Sequence, residues 1–266
     1  MSEPRITIIK IGGSVITDKK TELTPQTQNI DRLADETQKA NVKGLIIVHG
    51  GGSFGHPAAQ KNAIKEGLKN PDQIIGFAET HHFMTVLNGL VMDSLIMHSV
   101  PAVSITPSSC ILTENGRIKS FEDTPLKMLL RIGLLPVLYG DAVLDEKLGF
   151  TVLSGDQLVS ALATKFNAQR IIVGVDVDGL FDADPKIEGK ARKFTHLTLD
   201  ELKQLQKNVG KSTACDVTGG MFGKIVELLP ALERGIPVTI VNATKPGLVY
   251  KALKGENVEG TLIEKE

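Results

Sequence analysis

The chain has 266 residues, of which 41% are apolar and 23% charged, a composition typical of a globular protein and not of a disordered one. Its formal net charge of −1 gives no electrostatic reason to expect a nucleic-acid partner or an anionic membrane surface. The two cysteines, Cys110 and Cys215, are far apart in the sequence, which argues against a disulfide framework and a structural zinc site and favours a reducing, cytoplasmic location. No apolar run is long enough to predict a membrane-spanning helix, and the N-terminal residues lack the layout of a signal peptide.

Short apolar runs alternate with amphipathic segments along the chain. The apolar runs are nearly continuous, which is typical of strands covered on both faces, as in a parallel sheet. In chain order the pattern predicts strand 6–9, helix 27–40, strand 44–48, helix 76–99, strands 101–105 and 135–139, helix 157–166, strand 170–175, helices 198–209 and 221–234, and strand 237–241. Such alternation predicts an α/β fold, here one domain with two lobes, that binds ligands at the carboxyl ends of its strands.

Three helix ends carry specific signals. Thr198 has the chemistry of an N-cap, with acidic residues following it in the first turn. Gly235 is placed as the glycine that follows a helix, and Pro230 predicts a kink within the segment 221–234. His81 and His82 are neighbours on a predicted helix, so their side chains point about 100° apart and we expect surface or pocket-rim positions.

The first strand ends in the sequence KIGGS. Lys10 stands at the end of a buried run, where an ammonium group needs an anion or water. Gly12 and Gly13 let the backbone approach a ligand closely. An anion-binding turn and a lysine that merely reaches solvent before a tight turn both explain this segment.

The second strand ends in HGGGSFGH. The segment contains the dinucleotide fingerprint GxGxxG, but the acidic residue expected about 20 positions later is only Asp72, which falls in a polar loop. The glycines favour a cradle for an oxyanion. His56 follows the cradle and is either a hydrogen-bond donor to a ligand or an ordinary surface residue.

Three later segments add polar groups. Asp156 in SGD is either a helix N-cap or a functional carboxylate. The acidic segment 176–184 follows a strand and is either the surroundings of a nucleotide ribose or a metal ion, or an ordinary acidic loop. Lys224 follows the glycine pair 219–220 at a helix start, where the helix dipole disfavours a cation unless an anion lies between them.

These motifs occur together in one order. KxGGS, HGGGSFGH, SGD, DVDGLFDADP and DVTGGMFGK span nearly the whole chain and resemble the amino acid kinase superfamily, and within it the isopentenyl phosphate kinases. Fosfomycin kinases share the histidine of GSFGH and stay a competing interpretation. A non-catalytic nucleotide sensor is disfavoured because the lysines, Asp156 and His56 are all present, and a Rossmann oxidoreductase is more distant still.

The resemblance implies an open three-layer αβα sandwich with a mainly parallel central sheet, and a homodimer. It implies an acceptor-binding lobe of about residues 1–165 and a nucleotide-binding lobe of about residues 166–266. It further implies ATP-dependent phosphorylation of isopentenyl phosphate to isopentenyl diphosphate, a step of isoprenoid biosynthesis, with Mg²⁺ bound through the ATP phosphates.

The resemblance also implies roles for individual residues. Lys10 and Lys224 would hold the ATP phosphates and the transferring group, Lys19 would reach the γ-phosphoryl group, and Asp156 would orient the lysines. The acceptor phosphate would be bound by Gly51, His56 and Gly155. Contacts to the nucleotide would come from Gly12, Gly13, Ser14, Gly52, Asp176, Gly220 and the stretch 181–186, which includes Phe181, Asp182, Pro185 and Lys186.

The apolar part of such a substrate needs a pocket. The predicted helix 76–99 carries more apolar residues than one core contact requires, and we expect Phe77, Phe83 or Met84 to border the isoprenoid tail. For most of these side chains, plain core or dimer-interface packing is the better explanation. No arginine lies beside the glycine turns, which favours a phosphate or phosphonate acceptor over a carboxylate.

Overall fold

The computed structural model describes residues 5–183, 190–209 and 221–266. Its strands are β1 (Thr7–Ile11), β2 (Leu45–His49), β3 (Ala102–Ser104), β4 (Ile111–Glu114), β5 (Arg117–Phe121), β6 (Leu135–Tyr139), β7 (Asp141–Asp145), β8 (Gly149–Leu153), β9 (Arg170–Val175), β10 (Leu180–Phe181), β11 (Lys193–Phe194), β12 (His196–Thr198), β13 (Val238–Asn242) and β14 (Gly260–Glu264). Its α-helices are α1 (Gly13–Ile16), α2 (Thr27–Ala40), α3 (Gly52–Lys61), α4 (Gln73–Met97), α5 (Thr124–Arg131), α6 (Gly155–Lys165), α7 (Leu199–Val209), α8 (Met221–Val226), α9 (Leu229–Glu233) and α10 (Leu248–Lys254).

The main sheet has eight strands in the order β12-β14-β13-β9-β1-β2-β6-β3. Strand β1 lies near the centre and pairs in parallel with β2 and β9, so that Lys10 is opposite Val48 on one side and Val173 on the other. The strands from β13 to β3 are parallel, whereas β13 and β14 are antiparallel. The prediction of a mainly parallel sheet is therefore confirmed.

Helices cover both faces of this sheet. Alternate residues of β1 point to opposite sides, so Ile8 enters one core cluster and Ile9 the other. The first cluster includes Leu158 and Leu162 of α6, and the second includes Leu87 and other residues of α4. The molecule thus has the three layers expected of an αβα sandwich, and all five residues of β1 are buried.

A second sheet of four strands, in the order β5-β4-β7-β8, and a small β10-β11 pair accompany the main sheet. The sequence patterns did not predict the four-stranded sheet. In β5 the side chains are exposed or only partly buried, and β7 begins and ends in aspartate, so neither segment has the continuous apolar character used to find strands.

The helix ends agree with the sequence in two places and differ in one. Thr198 and Glu201 form a reciprocal capping pair, since Thr198 N donates to Glu201 Oε2 and Glu201 N donates to Thr198 Oγ1. Gly235 follows α9 with φ of +79°. The single kinked helix predicted over 221–234 is wrong, because the chain forms α8 and α9 separately, with Pro230 in the first turn of α9. Within the described ranges no helix is long and apolar enough to cross a membrane.

Candidate active site

A cavity of about 640 Å³ opens at the carboxyl ends of β1, β2 and β6. The turns that follow these strands supply Gly13, Gly51 and Gly140 to its wall. The side chains of Lys10, Lys19, His56, Asp156 and Lys224 also line it, together with the backbone at Ser14, Gly52 and Gly155. Most of the polar residues predicted from separate motifs therefore meet in one place.

The turns after β1 and β2 pack backbone against backbone. A Cβ atom added at Gly13 would lie 2.2 Å from Gly52 N, and one added at Gly52 would lie 2.0 Å from Thr17 Oγ1. Gly52 also has φ of +48°, a left-handed conformation that favours glycine. Thr17 Oγ1 joins the two turns, since it donates to Gly13 O at 2.8 Å and accepts from Ser53 N at 3.0 Å.

Lys10 is buried in β1 and forms an ion pair with Asp156, at 2.7 Å between Nζ and Oδ1. Asp156 lies in the first turn of α6, but it is not the N-cap, because Ser154 Oγ accepts the hydrogen bond from Gln157 N. The alternative that Asp156 serves as an N-cap is therefore wrong. A buried ammonium group needs such a partner, and Asp156 supplies it at the edge of the cavity.

The charges around the cavity act on one another. Burial lowers the pKa of Lys224, and the positive charge of Lys10 lowers it further. Burial likewise lowers the pKa of His56, and the positive charges of Lys224 and Lys10 lower it further. The negative charge of Asp156 raises it. Ser14 Oγ and Lys19 Nζ donate to the two carboxylate oxygens of Asp176, each at 2.9 Å. Several lysine side chains thus meet glycine backbone in one cavity, an arrangement that can bind an anion.

Residues 5–242 match the profile of the amino acid kinase family. The chain belongs to the amino acid kinase family. It is 41% identical over 264 residues to a protein of Methanothermobacter thermautotrophicus named isopentenyl phosphate kinase, a match that covers 96% of this chain and 98% of the relative. A protein of Methanocaldococcus jannaschii with the same name is 36% identical, over 97% of this chain and 98% of that one. A solved structure of an isopentenyl phosphate kinase is 38% identical with a TM-score of 0.85, covering 97% of this chain and 99% of that chain.

Phe77, Phe83 or Met84 was predicted to border the apolar part of the substrate, and the three side chains have different surroundings in this amino acid kinase. Met84 lines the cavity, and its Sδ atom would touch a Cβ added at Gly51 or Gly55. Phe77 packs on Phe150 with ring centroids 5.2 Å apart, in the cluster that also contains the cavity residues Ala59 and Val152. Phe83 packs against the second core cluster. Of Phe77, Phe83 and Met84, only Met84 lines the cavity.

A histidine–aspartate pair beside the cavity was missed. His81 Nδ1 lies 3.0 Å from Asp141 Oδ1, and Asp141 is buried in the cavity wall. Burial raises the pKa of Asp141, and the hydrogen bond to Asp141 raises the pKa of His81. His81 was expected at the surface or the rim, and its half-exposed ring fits the rim, but the sequence separation of 60 residues hid its partner.

The remaining predicted nucleotide contacts are placed only in part. Gly12 N donates to Gly174 O, which ties the first turn to β9. Phe181 lies in β10, and Asp182 Oδ1 accepts a hydrogen bond from Arg192 N. Pro185, Lys186 and Gly220 lie outside the described residues, as does Cys215. Their roles, like those of the other predicted site residues, stay predictions.

Proposed function

We propose that the chain transfers the γ-phosphoryl group of ATP to isopentenyl phosphate, giving isopentenyl diphosphate and ADP. The observation that carries this proposal is the meeting of Lys10 and Lys224 in one cavity with Gly51 and His56. Ammonium groups from opposite ends of the chain and main-chain N–H groups form a site for two anions. The full-length match to relatives named for this activity supports the choice of acceptor.

The transfer forms one P–O bond and breaks another. An oxygen of the acceptor phosphate bonds to the γ-phosphorus while the bond from that phosphorus to the β–γ bridging oxygen breaks, and ADP leaves. The acceptor is already anionic near neutral pH, so no strong base is needed, and the barrier comes from repulsion between two anions. Lys10 and Lys224 reduce that repulsion, and His56 donates a hydrogen bond to the acceptor phosphate.

The same residues give a place for the nucleotide. Lys19 would reach the γ-phosphoryl group, while Gly13, Ser14 and Gly52 would present backbone groups to the phosphates. Asp156 pairs with Lys10 and Asp176 accepts from Ser14 and Lys19, so both carboxylates already hold cationic or hydroxyl partners. We therefore place Mg²⁺ on the triphosphate oxygens, where it would neutralise charge on the β- and γ-phosphates.

The apolar part of the cavity wall suits an apolar tail. Pro57, Ala59, Met84 and Val152 line it, and the cluster of Phe77 and Phe150 lies behind Ala59 and Val152. The residues described along the wall include no arginine, the side chain that best recognises a carboxylate. A small phosphate ester with a hydrocarbon tail fits both halves of the cavity.

Two larger features belong to the proposal. Residues 1–165 would form the acceptor-binding lobe and residues 166–266 the nucleotide-binding lobe, since Lys224 comes from the second part and the glycine turns from the first. The protein would act as a homodimer, and the exposed Ile74, Ile75 and Val86 of α4 offer apolar surface for the contact.

Coupled measurement of ADP release tests the proposal directly. We expect MgATP with isopentenyl phosphate to give turnover far above a blank without acceptor, and fosfomycin to give a rate near the blank. Faster turnover with fosfomycin would move the assignment to a phosphonate kinase. A Met84→Ala variant tests the apolar wall, because a wider wall should change the preference among isoprenoid chain lengths, and an unchanged preference would remove Met84 from it.

A further inference from the structure

His49, the last residue of β2, is fully buried behind the glycine turn that follows it. Its ring stacks on Tyr139 with centroids 5.4 Å apart. Nδ1 lies 3.1 Å from the carbonyl oxygen of Gly50, and Nε2 lies 3.2 Å from Asn88 Nδ2. Ser104 Oγ lies 2.5 Å from Asn88 Oδ1. A line of hydrogen bonds thus runs from β3 through α4 to the backbone of the site.

The direction of each hydrogen bond in this line is determined. A carbonyl oxygen only accepts, so the proton of the ring must be on Nδ1. Burial lowers the pKa of His49 to about 4, although the hydrogen bond to Gly50 raises it, so the ring is neutral at pH 7 and Nε2 must accept. Asn88 therefore presents its NH₂ group to His49 and its oxygen to the Ser104 hydroxyl.

The bond to Gly50 orients the next N–H group. The C=O and N–H of a trans peptide point in opposite directions, so a Gly50 carbonyl directed at the buried ring turns the Gly51 N–H the other way. That other side is the cavity, which Gly50 and Gly51 line. No described residue accepts a hydrogen bond from the Gly51 N–H. The group is left for a ligand.

We infer that His49 is a positioning residue, which holds the Gly50–Gly51 peptide so that the Gly51 N–H donates to the phosphate of the acceptor. The inference rests on the proposed function for the identity of that acceptor. His49 does not touch the reacting atoms. It acts through the peptide, and Asn88 and Ser104 act through His49 by fixing which ring nitrogen carries the proton.

The test uses a variant that keeps the stacking and removes the nitrogens. In His49→Phe we expect KM for isopentenyl phosphate to rise about tenfold or more, because a hydrogen bond to a charged group is lost, while KM for ATP stays unchanged. The variant should also melt at a lower temperature, since Asn88 Nδ2 is left buried without its partner. Equal changes in both KM values, or none, would overturn the inference.

The double variant His49→Phe/Asn88→Leu separates positioning from stability. Replacing both polar partners by apolar side chains removes the buried orphan, so the melting temperature should recover in part. The raised KM for isopentenyl phosphate should persist, because the Gly50 carbonyl still has no donor. If KM returns to the original value together with the melting temperature, His49 is only structural.

A third measurement does not depend on turnover. In ¹⁵N-labelled protein the Gly51 amide resonance should shift on titration with inorganic phosphate, and that shift should be lost in His49→Phe. An equal shift in both proteins would overturn the inference even if the acceptor were another phosphate. An unsubstituted protein that is inactive with isopentenyl phosphate but shows the phosphate shift would contradict the proposed function alone.

Discussion

Single residues set the electrostatics of the cavity. Lys10 has a carboxylate partner at 2.7 Å, whereas burial and nearby positive charge lower the pKa of both Lys224 and His56. The free site is therefore short of negative charge. A bound phosphate would supply negative charge, and its binding should raise the pKa values of Lys224 and His56.

His56 gives the first prediction. Its pKa in the free protein should lie below the ordinary value, and isopentenyl phosphate should raise it, because the phosphate offsets the charges of Lys224 and Lys10. NMR titration of the imidazole C–H signals checks this, with His56→Gln to assign the resonance. The same variant should lower kcat/KM about 100-fold with ATP binding retained. An ordinary or raised pKa in the free protein would contradict the electrostatic argument.

The contact between the glycine turns gives the second prediction. Gly13→Ala should lose activity and about 3 kcal/mol of stability, because the new methyl group would collide with the backbone of Gly52 and one of the two turns would have to shift. Gly89→Ala is the matched control. Gly89 lies inside α4 with open space around its Cβ position, so alanine should stabilise the protein by about 1 kcal/mol. Chemical denaturation measures both, and equal effects would refute the argument.

Among the elements, the four-stranded sheet depends on one buried carboxylate. Asp145 at the end of β7 accepts hydrogen bonds from the backbone N–H groups of Asn115, Gly116, Lys147 and Leu148. It therefore organises both the β4–β5 and the β7–β8 turns. Burial raises the pKa of Asp145, but these hydrogen bonds outweigh it and hold the pKa well below its usual value.

The sign of the resulting pH dependence follows from the lowered pKa. Because the pKa of Asp145 is lower in the folded than in the unfolded chain, its ionised form stabilises the fold above about pH 4, and this contribution is lost as the pH falls further. Asp145→Asn should therefore cost about 2 kcal/mol in urea unfolding at pH 7, and much less at pH 3. Glu146→Gln, which affects only an exposed pair with Lys119, should cost under about 0.5 kcal/mol. A pH-independent loss in the Asn variant would contradict this account.

Apolar runs predicted six of the eight strands of the main sheet, and three of these six, β1, β2 and β6, are buried along their whole length. Strands β12 and β14 were not predicted, because buried residues alternate there with exposed or partly buried ones. The bounds predicted for β6 and β9 agree with the structure, and those of the other predicted strands differ by a few residues. The four-stranded sheet could not be found in the same way, since its stability comes from groups such as Asp145 and not from apolar continuity. The meeting of Lys10, His56 and Lys224 followed from strand topology, whereas the pairs His81–Asp141 and His49–Asn88 depend on side-chain packing that no local pattern encodes.

On the scale of the whole molecule, the cavity joins β1 to α8, which are far apart in the chain. Burial and the charge of Lys10 make the ammonium group of Lys224 unfavourable in the unliganded protein, and its pKa is lowered accordingly. The negative charges of Asp156 and Asp176 offset part of this effect, and we expect a bound anion to offset more of it. Ligand binding and stability should therefore be coupled at Lys224.

Lys224→Met exposes that coupling. Without ligand the variant should be more stable than the unsubstituted protein by up to about 1 kcal/mol, because a repelled, partly buried cation is removed. MgATP should raise the melting temperature of the unsubstituted protein, as any ligand of the folded state does, and should raise that of the variant far less. Differential scanning calorimetry with and without MgATP measures both effects. A variant that is less stable without ligand would show that Lys224 contributes to packing.

The backbone contact between the turns at Gly13 and Gly52 also limits which substitutions the chain can accept. A side chain at either glycine would require the backbone of the other turn to move away. Substitutions in one turn should therefore be accepted only together with changes in the other. In a library randomised at every position and selected only for soluble, folded protein, Gly13 and Gly52 should tolerate few replacements. Tolerated replacements should be more frequent in the apolar part of the cavity wall, at Pro57, Ala59, Met84 and Val152.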